Sequence, residues 1–292
     1  MLKSAQRDPR QRSGLARALS KLGYCSRSQA RQWIRAGRVR LNDQIRLDPE
    51  TPVYLGQDRI QVDGRVGAAA SKIYWMLNKP RGVVTTAADE KGRKTVYDLL
   101  PSSTPWIAPV GRLDKASEGL LLLTNDTAWS ARVLAPSTHL DKIYHVQIGD
   151  VATPSLVHSL AHGKRVENGD FLRVKQVRIL RGGKQNTWLE IVLDQGKNRH
   201  LRRLLAACKV KVLRLVRVAI GPLSLGELAK GAVRALTSGE RKMLDRALSG
   251  AQKLPSPSEQ KKEDARSDDG LGQSFCHETA RFASRSGNRG RL

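Results

Sequence analysis

Four consecutive leucines, residues 120–123, stand between Gly119 and the turn-forming residues TND in the stretch "VGRLDKASEGLLLLTND". Neighbouring strand residues point to opposite faces, so a strand with leucine at every position must be covered on both sides. The run is too short for a buried helix and reads as a core strand. From about residue 73 to 245, strand-like and helix-like segments alternate irregularly around it, which predicts an α+β domain on a mixed sheet. Asp126 is placed to cap a helix through "TAWSARVLA" that stops before Pro136.

Charge narrows what such a domain meets. Among 292 residues, 52 Lys and Arg against 27 Asp and Glu give a formal net charge of +25. That balance points to a polyanion as partner. No apolar run approaches the ~18 residues that span a bilayer. The N-terminal "MLKSAQRDPRQRSG" lacks the apolar core of a signal peptide, so a cytoplasmic protein is expected. Cys25, Cys208 and Cys276 are odd in number and far apart, which argues against a disulfide framework or a zinc site. With neither a Walker-type loop nor a GxGxxG, the expectation is no cofactor and no metal.

The basic excess is uneven. Residues 1–46 hold twelve Lys and Arg against two acids. Within them Leu15, Ala18, Leu19 and Leu22 recur at helical spacing, and Gly23 supplies a stop. Ser26 opens a capping-box pattern for a second helix ending at Gly37, and "RVRLN" then alternates as a strand that turns at Asn42-Asp43. The second helix carries Arg27, Arg31 and Arg35 at i, i+4 and i+8 with no acid on the helix to pair them. Such like charges cost a few tenths of a kcal/mol per pair. A phosphate-binding face explains them better than an idle surface, and Arg38 follows directly as a further candidate. On "GYCSRSQARQWIRAGRVRLND" the segment from about 14 to 64 resembles the S4 RNA-binding module, although that module commonly opens with a basic residue where this chain has Gly14. The domain reading is a disordered basic arm over 1–13, an S4-like module over 14–64, a linker over 65–72, the larger α+β domain over 73–247, and a disordered tail over 248–292 that is poor in apolar residues.

Asp114, just before the leucine run, reads by itself as a loop aspartate whose carboxylate closes a local turn. Two further segments weigh against that. In "DKIYHVQI", Tyr144, Val146 and Ile148 share one face of a strand. In "LDQGKNRHLRRLLAACKV", Leu201, Leu204, Leu205 and Cys208 form one buried helix face, with Asn198 as the natural N-cap. Arg199, Arg202 and Arg203 then crowd the first turns, where the helix dipole favours acids. Arg199 and Arg203 lie nearly opposite the apolar stripe. Arg202 lies at its flank, where a half-buried guanidinium needs an anion: an RNA phosphate, or a carboxylate such as Asp114.

"LNKPRGVVTT", "VGRLDKASEGLLLLTND", "KIYHVQI" and "GKNRHLRRLLAACKVKVLRLVRVAIGPLSLGELAKGAVRALT", in that order, closely resemble the bacterial ribosomal-RNA pseudouridine synthases, in the branch with an N-terminal S4 module. The resemblance covers roughly residues 14–240. It implies a catalytic domain on a mixed, mainly antiparallel β-sheet with flanking helices. It also implies Asp114 as catalytic aspartate, Tyr144 as active-site tyrosine, and Arg202 as the basic residue pairing with the aspartate. Arg112 would help hold the target nucleotide out of its stack, and Lys79 and Pro80 would shape the pocket wall. With Arg199, Arg203, Arg27, Arg31, Arg35 and Arg38, Arg112 and Lys79 make up the expected RNA-contacting set. His200 stands where relatives often carry glutamine or glutamate. The implied reaction isomerises a uridine in ribosomal RNA, free or in an assembling subunit, with 23S favoured over 16S. The expected species is a monomer needing no membrane and no small-molecule cofactor. The rival reading is a non-catalytic RNA-binding or ribosome-assembly protein that kept the fold.

Overall fold

The computed structural model describes residues 12–66, 71–87, 89–167 and 169–250. The expected basic arm up to residue 11, the centre of the linker at 67–70 and the tail from 251 onward lie outside the described residues.

The N-terminal module runs β1 (Arg12–Gly14), α1 (Leu15–Lys21), α2 (Arg27–Arg35), β2 (Val39–Leu41), β3 (Gln44–Ile45), β4 (Pro52–Tyr54), β5 (Ile60–Val62) and β6 (Arg65–Val66). The capping box forms: Ser26 Oγ accepts from the Gln29 amide, and Gln29 Oε1 accepts from the Ser26 amide, both at 3.1 Å. Asn42 and Asp43 both take positive φ, which lets β2 fold straight back onto β3. Leu15, Leu19, Ala30, Ile34, Val39 and Val53 are all 0% exposed and make this module's own core. Two boundaries shift from the sequence reading. Arg12 and Ser13, expected in the arm, pair with Tyr54 and Val53 of β4. Arg65 and Val66, expected in the linker, extend the sheet against β5. In both cases backbone pairing, which charge and residue size do not reveal, decides the edge.

The second part contains β7 (Tyr74–Lys79), β8 (Ala108–Pro109), β9 (Glu118–Thr124), α3 (Thr127–Leu134), β10 (Lys142–Ile148) and α4 (Pro154–His162). It continues through β11 (Lys164–Arg165), β12 (Phe171–Leu172), β13 (Gln176–Gly182), β14 (Thr187–Leu193) and α5 (His200–Ala207). β15 (Val212–Ile220), β16 (Leu223–Ser224), β17 (Val233–Ala235) and α6 (Ser238–Gly250) complete it. Nine of these strands form one sheet along the path β13-β14-β10-β15-β9-β7-β17, with β8 and β16 at its margins. Its described pairings are antiparallel except β15 with β9, so the expected α+β class with a mixed, mainly antiparallel sheet holds.

The four leucines sit as their pattern requires. Leu120 and Leu122 pack with Met76, Trp129, Val133 and Leu244, under α3 and α6. Leu121 and Leu123 pack on the other face with Leu77, Val83, Val96 and Ile107. All four leucines are fully buried, each contributing about 1.5–3 kcal/mol. Asp126 caps α3 by accepting from the Trp129 amide at 3.1 Å, and the helix ends before Pro136. α6 runs to Gly250, past the boundary expected at 247, because Leu248 still packs into the core. After Lys79-Pro80 no strand is described before Ala108. Only an isolated bridge joins Val84 to Thr95, while the Gly82 amide and the Thr85 hydroxyl turn to the carbonyls of Lys115 and Leu113. No helix among the described residues is long and apolar enough to cross a membrane.

Candidate active site

The site is built where β9 and β15 run parallel, with Val216 beside Glu118 and Arg217 beside Gly119. Gly119 has φ +102°, and a Cβ there would collide with the backbone of Arg217. Only glycine allows the two strands this close. Glu118, next in line, is buried but faces Arg214 at 3.1 Å and Lys230 at 2.7 Å. Burial pushes its carboxyl up, and those two cations more than offset it, leaving it below the usual carboxylate range.

Lys79, at the end of β7, anchors the loop that precedes β9. Its ammonium is fully buried and donates to the carbonyls of Pro80 at 3.0 Å, Asp114 at 3.2 Å and Ser117 at 2.9 Å. Three donors meet three acceptors, so the valence of the ammonium is filled. Burial pushes the pKa of Lys79 down to about 8, against the pull of Asp114 and Glu118. This corrects the sequence expectation: a lysine with no exposed surface cannot touch RNA, and it shapes the site from beneath. The Asp114 carbonyl also accepts from the Ser117 amide at 2.9 Å. The turn is therefore closed by backbone, and the Asp114 carboxylate is left to line a cavity.

That cavity measures about 540 Å³, within the ~300–1,000 Å³ typical of small-ligand sites. Asp114, Arg112, Tyr144, Arg199 and Arg202 line it together, although they come from three separate stretches of the chain. Arg202 reaches in from α5. Its Nη2 donates to the Ala116 carbonyl at 2.9 Å, and its Nε lies 3.8 Å from Asp114 Oδ2. The latter is a charge contact, too long for a hydrogen bond. Of the two anions the sequence leaves open for Arg202, the structure supplies the carboxylate. Burial lowers the pKa of Arg202, Asp114 opposes this, and Arg199 and Arg81 add to it. The expected N-cap shifts by one residue: Arg199, at φ +48°, takes the position without a side-chain cap bond. Tyr144 is half-buried on β10, between Ile191 of β14 and Arg217 of β15.

The remaining candidates divide. Arg27, Arg31 and Arg35 are exposed along α2, and Arg31 has Glu50 at 3.7 Å, an acid the helix pattern could not show. Arg38 is engaged by Asp63 through bonds of 2.9 and 2.6 Å and lies over the Trp33 ring. Arg203 bonds Asp170 at 2.7 Å. Each of these two is paired with an internal carboxylate that the sequence pattern does not show. Sequence reasoning does not single out Lys142, His139, Asp194 or Arg217, all of which line the cavity. Two signals point toward them: Lys142 shares the strand face of Tyr144, and Arg217 interrupts an apolar alternation in "VLRLVRVAI".

The family model for RNA pseudouridylate synthases matches residues 73–207, and that for the S4 domain matches residues 14–60. The chain is 34% identical over 235 residues to the ribosomal large subunit pseudouridine synthase B of Bacillus subtilis, covering 80% of this chain and 96% of that protein. It is 36% identical over 231 residues to an uncharacterized RNA pseudouridine synthase of Aquifex aeolicus, covering 79% and 92%. A crystal structure of a pseudouridylate synthase superposes with a TM-score of 0.56 at 28% identity, over 80% of this chain and 99% of the other.

Proposed function

The chain belongs to the RNA pseudouridylate synthase family and carries an S4 domain, and from that premise we propose that it isomerises a specific uridine of ribosomal RNA with Asp114 as the catalytic carboxylate. One observation carries the residue assignment: Asp114 and Arg202, far apart in sequence, come within 3.8 Å inside a cavity that Tyr144 also lines. The name of the Bacillus relative favours a large-subunit uridine over a small-subunit one.

The reaction breaks the C1′–N1 bond, turns the uracil, and joins C5 to C1′, with the proton of C5 lost and one gained at N1. No atom is added overall. Asp114 acts at the sugar, as nucleophile on C1′ or as stabiliser of a glycal-type intermediate. Arg202 supplies the countercharge that keeps a carboxylate in place within a partly dry cavity. Tyr144 stacks on the freed uracil and takes the C5 proton as the new bond forms. A stacked nucleotide hides its glycosidic bond, so the target must flip out at a cost of a few kcal/mol. Arg112, exposed at the cavity rim, holds it there, and Arg27, Arg31 and Arg35 on the S4 domain offset the cost through phosphate contacts. Carbodiimide mapping of pseudouridine in total ribosomal RNA, with and without the gene, tests the reading. One site should vanish without the gene, return with the wild-type copy, and stay absent with Asp114→Asn. A full set of sites in the deletion strain would sink it.

A further inference from the structure

Among the described residues, six buried side-chain polar atoms have no hydrogen-bond partner. Four of them, Ser117 Oγ, His200 Nδ1, Arg202 Nε and Arg217 Nη2, belong to residues that line the same cavity. Arg202 Nε faces the Asp114 carboxylate at 3.8 Å, whereas among the described residues Arg217 has no carboxylate at ion-pair distance. Arg217 is 6% exposed, and its Nε donates to the Leu120 carbonyl at 2.8 Å, leaving Nη2 with nothing.

Beside it in the same cavity lining is a second cation. Lys142 sits two residues from Tyr144 on the same strand face, and Arg217 is the cross-strand neighbour of Tyr144. Among the described residues, neither cation has a carboxylate at ion-pair distance. Asp141 is bound to Lys175 at 2.7 Å, and both Asp141 and Asp194 act on Lys142 only from beyond ion-pair distance. The ammonium of Lys142 is held below its usual range by burial first and by Arg217 second. A buried guanidinium beside a half-buried ammonium, with no carboxylate at ion-pair distance among the described residues, is an unfavourable arrangement, and an anion between them relieves it. A uracil carbonyl can accept from either donor but, being neutral, offsets neither charge. A phosphate uses both, and phosphate contacts position a nucleic acid without reading its sequence.

We propose that Arg217 and Lys142 form an anion subsite in the cavity wall that receives a phosphodiester of the RNA strand at the target nucleotide. This rests on the functional reading above and adds to it. Asp114 and Arg202 act on the sugar from one wall, and this pair fixes the backbone from another, so that the freed uracil turns while its ribose stays in place.

The test uses the full chain and needs no knowledge of the target site. Binding of uridine, uridine 3′-monophosphate, uridine 5′-monophosphate and inorganic phosphate is measured by ligand-observed NMR, which does not depend on turnover. At least one monophosphate should bind about tenfold or more tighter than uridine, as expected for a charge-assisted pair of bonds. Lys142→Met, which keeps the aliphatic stem, should erase that preference. Arg217→Lys, which keeps the charge but loses the planar fork, should reduce it several-fold and decides the matter if the first variant does not fold. Equal binding of uridine and both monophosphates, or a preference untouched in the folded variants, overturns the subsite. Inorganic phosphate competing as well as the monophosphates overturns the assignment to an RNA backbone. Tritium release from ribosomal RNA labelled at uridine C5, run in parallel with the wild-type chain, separates the two levels. A phosphate preference that Lys142→Met erases, in a protein whose wild type releases no tritium, would leave the subsite standing and remove the isomerase.

Discussion

Replacing Lys79 by methionine tests whether the loop that carries Asp114 is held from below. The side chains have similar length, so the change removes the ammonium and little volume. The carbonyls of Pro80 and Ser117 lose their donor, whereas that of Asp114 keeps the Ser117 amide. At about 1–3 kcal/mol for each unsatisfied group, this costs roughly 2–6 kcal/mol. Against it stands the relief from burying a charge. The fall in pKa from 10.5 to about 8 corresponds to about 3 kcal/mol. The variant should therefore be less stable by about 1 kcal/mol at pH 7.

The pH dependence separates this account from a simple packing defect. Below pH 8 the lysine is protonated in both the folded and the unfolded chain, and the burial penalty is present in full. Between 8 and 10.5 the unfolded chain holds more protons than the folded one, so wild-type stability rises with pH and the penalty disappears. The variant has no such group. Guanidinium unfolding of both proteins at about pH 7 and pH 9.5 should show the gap widening by about 2 kcal/mol, at most ~1.4 kcal/mol per pH unit. Pseudouridine formation should fall mainly in kcat, because the loop with Asp114 relaxes while the RNA-binding surfaces stay intact. A pH-independent gap, or a variant as active as wild type, would refute the reasoning.

Three further outcomes are expected. Asp114→Asn should abolish pseudouridine formation while binding of ribosomal RNA, read by filter retention, stays within about a few-fold, since one removed charge changes few phosphate contacts. Changing Arg27, Arg31 and Arg35 together to glutamine should flatten the plot of log binding constant against log salt by about 0.7–0.9 for each phosphate no longer neutralised; an unaltered slope would remove α2 from the RNA interface. Gly119→Ala should lower the denaturation midpoint by the equivalent of more than about 2 kcal/mol, since it combines a strained φ with a collision against the Arg217 backbone. An unshifted midpoint would mean that the parallel pairing of β9 with β15 tolerates a wider spacing.

What the sequence makes legible is local. The leucine run, the Ser26 capping box, the Asp126 cap and the apolar stripe of α5 each follow from spacing alone, and each forms as its spacing demands. Partners distant in sequence are not legible in this way. Arg203 reads as a phosphate contact because no acid lies near it in the chain, yet Asp170 arrives across 33 residues. Arg38 meets Asp63 across 25 residues through the β2–β5 pairing. Lys79 is expected among the RNA contacts because nothing in "LNKPRG" shows that carbonyls from the loop before β9 will enclose it.

Arg202 shows how a local anomaly can still disclose a distant partner. A guanidinium at the flank of an apolar stripe, in the turn where the helix dipole repels it, is unfavourable in the isolated helix. Such a residue is favoured only where tertiary structure brings an anion, and the structure brings Asp114. Arg217 presents the same anomaly, a cation inside an apolar strand alternation, but among the described residues no internal carboxylate answers it. The difference separates two kinds of buried charge. One is neutralised by the fold and can tune a reacting group, and the other is left open by the fold for a charge that only the substrate brings. By that logic Arg217 is read from its missing partner, as Arg202 is from its present one.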